Sequence, residues 1–188
     1  MMRLPRLPIG RRFAEDRSAA AAVEFALLMP MMIMVFFAGI DMTEAVSARR
    51  KAVQASSTIS DLIAQAKEVT PGDVTNVFTA GKAIMTPFSA NHFEAVVSSV
   101  RVDASKVARV AWSQGYNKTA HVVGKTVTLP EKLLVANTSF VMAEVTYGYK
   151  PVVGGGIIGP INIPKTTYAL PRTASKTHGV PCKWSGCS

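Results

Sequence analysis

Residues Ala19 to Ile40 form an apolar run of 22 residues that carries a single charge, Glu24. A helix needs about 20 such residues to cross the hydrocarbon core of a bilayer. A secretory h-region is shorter, about 7–15 residues, and ends in a small-residue cleavage site. Here the run ends in Gly39-Ile40-Asp41-Met42-Thr43-Glu44, which is not such a site. The segment therefore reads as a retained membrane helix, and the rest of the chain must be organised around it.

Orientation follows from the basic residues at its two ends. Residues 1–19 hold Arg3, Arg6, Arg11, Arg12 and Arg17 against Glu15 and Asp16. The far flank has Arg49, Arg50 and Lys51, set eight or more residues beyond the run. The bias predicts a cytoplasmic N-terminus and an extracytoplasmic C-terminal part. Pro30 lies inside the helix and is expected to bend it, because it withholds a backbone N–H. Glu24 is costly in lipid, roughly 2–3 kcal/mol or more, unless it snorkels or is paired. Its place near the cytoplasmic end fits either snorkelling to the interface or pairing with a positive group on another chain.

The formal charge of the whole chain is +9. That balance alone would suit nucleic acid or anionic lipid. No helix-turn-helix signature, zinc-finger spacing or basic run interleaved with aromatics accompanies it, so no nucleic-acid partner is expected.

Beyond the membrane run the helical pattern continues. Ala45, Ala48, Ala52, Ala55, Ile59, Leu62, Ile63 and Ala66 recur at three- and four-residue steps. Arg49, Arg50, Lys51, Gln54, Ser57 and Asp61 occupy the other face. The spacing predicts an amphipathic helix to about Lys67, stopped by Thr70-Pro71-Gly72, with a domain packed on its small-residue face. A second helix is expected over Pro71–Met85, with Thr70 as N-cap. From Phe93 the period becomes two. Residues 93–103 and 106–114 read as a hairpin turning at Ala104-Ser105, 125–129 as a short extended piece, and 138–153 as the strongest strand. Gly154-Gly155-Gly156 reads as a turn. Residues 157–170 supply one or two more strands, placed at an edge by Pro160 and Pro164.

The fold class that follows is α+β: an N-terminal transmembrane helix continues into a long amphipathic helix packed on an antiparallel sheet. The chain divides into a basic cytoplasmic leader (1–19), the transmembrane helix (20–40), an extracytoplasmic helical region (41–92), an antiparallel β region (93–174) and a C-terminal tail (175–188).

No catalytic constellation is present in the sequence. His92, His121 and His178 are far apart and lack metal-ligand spacing, so each reads as a surface residue. Asp41 and Glu44 lie one turn apart at the membrane exit, where solvation at headgroup level is the simpler role. No catalytic residue, metal or cofactor is expected. Cys182 and Cys187 form a C-x4-C pair. In an exported domain a local disulfide is the simpler reading, with a redox pair or half a metal site as the cytosolic alternatives. Such a loop would either present Trp184 outward as a contact residue or merely pin the tail. Trp112 reads as core.

The stretch AAAAVEFALLMPMMIMVFFAGIDMTEAVSARRKAVQAS, residues 19–56, resembles the TadE-like family of pilus assembly proteins of bacterial tight-adherence (Flp-type) pilus systems. The similarity lies at Ala20 to Ala26, Pro30, Gly39 and Asp41, and covers about forty residues. It implies a pilin-like fold and a role as a minor pilin or pseudopilin in assembly of a tight-adherence type IV pilus. It also implies that a prepilin peptidase cuts on the cytoplasmic side of the apolar run. Glutamate is the fifth residue after the cut in this family, which puts the cut between Ala19 and Ala20. Alanine stands at position 19 where the family usually has glycine. The implied role of Glu24 is assembly and register, by pairing with the new N-terminal amine of a neighbour. The implied partners are the inner membrane, the prepilin peptidase, other minor pilins, the major pilin and the assembly platform. The implied location is a single-pass place in the bacterial inner membrane with a periplasmic domain, with incorporation into a pilus as a further state. The alternative from another class is a signal-anchored periplasmic binding domain unrelated to pili. An exported enzyme is a third reading, without a site to support it.

Overall fold

The computed structural model describes residues 17–151, 159–172, 174–175 and 177–185. Helix α1 spans Arg17–Gln65, 49 residues without a break. At 1.5 Å per residue it is about 74 Å long. Its first half stands clear of the other described residues, and its second half forms one wall of a head domain. Ala48, Ala52, Ala55, Ile59, Ile63 and Ala64 are at most 1% exposed. Small side chains there let the helix lie close against the sheet. Ser56 and Ser60 are buried among them, and the Ser56 hydroxyl is 2.9 Å from both the Ala143 carbonyl and the Thr167 hydroxyl. The predicted face holds except at Leu62, which is 40% exposed. Ala64, outside the expected set, is buried beside Ile63 in its place.

Helix α2 (Pro71–Ile84) begins at a full capping box. The Thr70 hydroxyl accepts from the Asp73 N–H, and the Asp73 carboxylate accepts from the Thr70 N–H. Two orphan donors of the first turn are thereby satisfied. The Thr70 hydroxyl also donates to the Asp73 carboxylate at 2.7 Å, and this bond first, then the Thr70 N–H, holds the Asp73 carboxyl below the usual carboxylate range. At the other end, Lys51 of α1 donates to the carbonyls of Ile84 and Thr86. A cation at a helix C-terminus opposes the negative end of the helix dipole. Lys51 thus belongs to a helix–helix junction, not to the solvated face. Gly81 lets α2 approach α1: a Cβ there would lie 2.6 Å from Ile59 Cδ1.

Four strands follow: β1 (Phe93–Val102), β2 (Ala108–Tyr116), β3 (Thr138–Tyr149) and β4 (Ile161–Ala169). They form an antiparallel sheet in the order β2-β1-β3-β4. The fold is α+β, as expected from the sequence. The β1–β2 connection is Asp103–Val107, with Lys106 at φ 62° and the Asp103 carboxylate accepting the Val107 N–H. Residues 125–127 pair along the β2 edge through Val110 N–H to Lys125 C=O and Val127 N–H to Ala108 C=O. Pro164 lies in β4, opposite Thr146, at the other edge, where a missing donor is tolerated. The expected turn at Gly154-Gly155-Gly156 lies outside the described residues.

Both faces of the sheet are covered. On one, α1 and α2 enclose the main core around Phe78, Phe93, Trp112 and Val145. On the other, Leu129, Val127, Leu133 and Leu134 cover Val100, Val102, Phe140 and Met142. Central strand β1 is consequently buried on both sides, which is why its sequence alternates only weakly.

Candidate functional site: the exposed half of the long helix

Residues 20–40 are exposed along their whole length. Leu27, Val35 and Phe36 are 65–72% exposed, and the most apolar 18-residue window is 0% buried. The run of about 32 Å matches the hydrocarbon thickness of a bilayer, about 30 Å. So large an apolar surface is not sustained in water. A single-pass membrane anchor is compatible with it.

Ala19 and Ala20 lie in the first turn of α1, and Glu24 follows one turn later, exposed. Pro30 sits within the continuous helix and supplies no N–H to the carbonyl four residues before it.

The helix leaves this apolar stretch at Asp41, and there the head begins. The Tyr149 hydroxyl at the end of β3 donates to the Asp41 carbonyl at 3.1 Å and lies 3.4 Å from a Glu44 carboxylate oxygen. Its ring meets Phe88 edge-on, and Phe88 in turn packs on Tyr147. The Tyr147 hydroxyl donates to the Ser89 carbonyl. Burial first, then the Glu44 and Asp41 charges, push the Tyr149 phenol up to about 12. Asp41 and Glu44 are half-buried against this aromatic group, which corrects their reading as solvated acids. The alternating aromatics of Thr146-Tyr147-Gly148-Tyr149 were the available signal, but a strand pattern does not say which element it will meet.

The C-terminal tail is pinned at the opposite end of the head. Val69 N–H donates to the Pro181 carbonyl and Lys183 N–H to the Val69 carbonyl. Lys183 also pairs with Glu68 at 2.6 Å. Trp112 is core, as expected, and donates to the Val180 carbonyl. Trp184 packs edge-to-face on it at 5.3 Å, so it is a clip on the core and not an outward contact residue. Cys182 lies at the bridge to Val69 and is partly buried. Cys187 lies outside the described residues. His121, read as a surface residue, is partly buried and pairs with Glu144 at 2.5 Å. This contact ties the 117–137 segment to the sheet. Among the described residues no group of three His, Cys, Asp or Glu side chains could hold a metal ion.

Residues 19–60 match the family model described as TadE-like protein. The match spans the exposed apolar helix and most of the small-residue face on which the head packs. No curated protein and no solved structure matches the chain.

Proposed function

We propose that the protein is a minor pilin or pseudopilin-like component needed for assembly of a tight-adherence type IV pilus. It acts through helix packing in the membrane and protein contacts of its head, without catalysis of its own and without a cofactor. The observation that carries this reading is the coincidence of the TadE-like match with one uninterrupted helix, half bare and apolar, half built into a head.

In this reading the basic leader lies in the cytoplasm and the head in the periplasm. The prepilin peptidase cuts between Ala19 and Ala20 and leaves the apolar helix intact. The new ammonium then lies at the start of α1. Glu24 of one chain pairs with the amine of a neighbour, so that neither charge is left alone in lipid. Axial register between neighbours follows, because the pair forms at one offset only. The partners are other minor pilins, the major pilin and the inner-membrane assembly platform. The pair Cys182 and Cys187 closes a short disulfide that secures the pinned tail.

Mass spectrometry of the mature N-terminus tests the processing step. A chain beginning at Ala20 is the expected result, and retention of Met1 would sink incorporation as a processed pilin. Glu24→Gln is expected to keep the head folded and lower pilus assembly. Unchanged piliation by electron microscopy would remove the register role.

A further inference from the structure

The head has a polarity that its strands define. Tyr149, Ile161 and Phe93 lie at the end next to the bare helix, and Val102, Ala108 and Thr138 lie at the other. At that far pole the β1–β2 turn and the 177–178 stretch flank a cleft of about 370 Å3. Arg101, Arg109, Thr177, His178 and Asn137 line it, together with one acid, Asp103.

We propose that this cleft is a site for an oxyanion, a carboxylate, phosphate or sulfate group, carried either by a small free anion or by an acidic glycan chain. Among the described residues Arg101 bonds only through Nε, to the His178 carbonyl at 2.7 Å, which leaves its two terminal nitrogens for a ligand. Arg109 is held only loosely, by the Gly124 carbonyl at 3.4 Å and Asp103 at 4.0 Å. The Asp103 carboxylate is itself committed to the turn through the Val107 N–H. The Ser175 hydroxyl accepts from the Thr177 and His178 N–H groups and lies 3.3 Å from His178 Nδ1. With both acceptor positions of that oxygen in use, its proton goes to Nδ1. Nε2–H of the imidazole is thereby left as a donor. Two guanidinium groups and one imidazole donor then face a single acid that is already engaged. Lys106 and Lys125 stand exposed on the bordering segments and add to the positive field.

The arginine pair offers the planar forks that suit carboxylate and phosphate. A cleft of this size admits one or two such groups with the sugar or chain that bears them. If the helix is a membrane anchor, the pole stands about 30 Å beyond Asp41 at the level of Asp61, several Debye lengths from the bilayer's own headgroups. This placement relative to the bilayer rests on the proposed function, but the binding site does not.

Isothermal titration of the full chain in neutral detergent, at low ionic strength, tests the site. Inorganic phosphate is the small probe and polygalacturonate the polymeric one. Binding of either is expected, and saturation by phosphate alone would identify a free anion as sufficient. Arg101→Gln and Arg109→Gln are each expected to weaken it by about tenfold or more. The double variant Arg49→Gln/Arg50→Gln, on the helix away from the cleft, should bind as the parent does. Arg109 is half exposed, so its variant keeps the thermal midpoint and remains decisive if Arg101→Gln unfolds. The site is refuted if neither probe binds the parent chain, or if the helix variant loses as much affinity as the cleft variants. Failure of processing at Ala19–Ala20 would leave these results unaffected.

Discussion

Gly81→Ala probes how closely α2 lies on α1. An alanine methyl would stand 2.6 Å from Ile59 Cδ1 and 2.9 Å from Cγ1, against an ordinary carbon–carbon contact of about 3.5–4.0 Å. About 1 Å must be found. Ile59 is fully buried and cannot swing into solvent, so either its side chain is forced into a strained rotamer or α2 shifts and loosens Val74 and Phe78, both buried with it. Overpacking of this kind costs about 1–3 kcal/mol. The intrinsic helix preference of alanine over glycine returns about 1 kcal/mol. A net loss of about 1 kcal/mol is expected, which lowers the thermal midpoint by about 2–4 °C for a chain of this size. Near-ultraviolet circular dichroism of the full chain in detergent follows the melt through Trp112. Ile59→Val removes Cδ1 and alone costs about 0.5–1.5 kcal/mol. In the double variant the two changes relieve one another, with a coupling of at least about 0.5 kcal/mol. Gly72→Ala serves as the open-site comparison, since a methyl there meets only Thr70 Oγ1 at 3.7 Å. Strict additivity of the pair, or a Gly81→Ala chain as stabilised as an open helix position would be, would refute the close approach.

Two further outcomes follow from the ends of the head. The Tyr149 phenol is held neutral by burial and by Glu44 and Asp41, which raises it to about 12. Its contribution to stability is full below the unfolded value of about 10 and is lost as pH rises from there through about 12. Urea unfolding at pH 9 and pH 11 should show a smaller drop in Tyr149→Phe than in the parent, the remainder coming from Tyr147 and Tyr168, whose phenols burial also raises. Equal drops in both would exclude Tyr149 as its source. Thr70→Ala removes the cap of α2 and should lower the midpoint by about 2–4 °C. An unchanged midpoint would mean that α2 is held by its packing alone.

Much of the architecture is written locally. An apolar run with one acid, followed by small residues at three- and four-residue steps, fixes a long helix whose two halves meet different surroundings. Thr70-Pro71-Gly72-Asp73 carries its own capping chemistry, and the helix it starts appears where expected. The edge position of β4 is legible in Pro164. These features depend on neighbours in sequence, so sequence suffices for them. The candidate processing site, Ala19–Ala20 with Glu24, belongs to the same kind of local signature.

Other features depend on elements distant in sequence, and only tertiary structure decided them. Tyr149 meets Asp41 across 108 residues, and Trp112 meets Val180 across 68. Arg101 and His178, at the far pole, are 77 residues apart. Strand β1 gave a weak period of two because both its faces are covered, and the 117–137 segment that covers one of them carries no regular pattern of its own. Leu62 and Lys51 differ from expectation by a small rotation of the helix and by the arrival of the α2 C-terminus. Periodicity gives the face of an element to within about one residue. The partner that the face meets is set by how the sheet and the two helices close together, because hydrogen bonds and close packing are satisfied only in the assembled head.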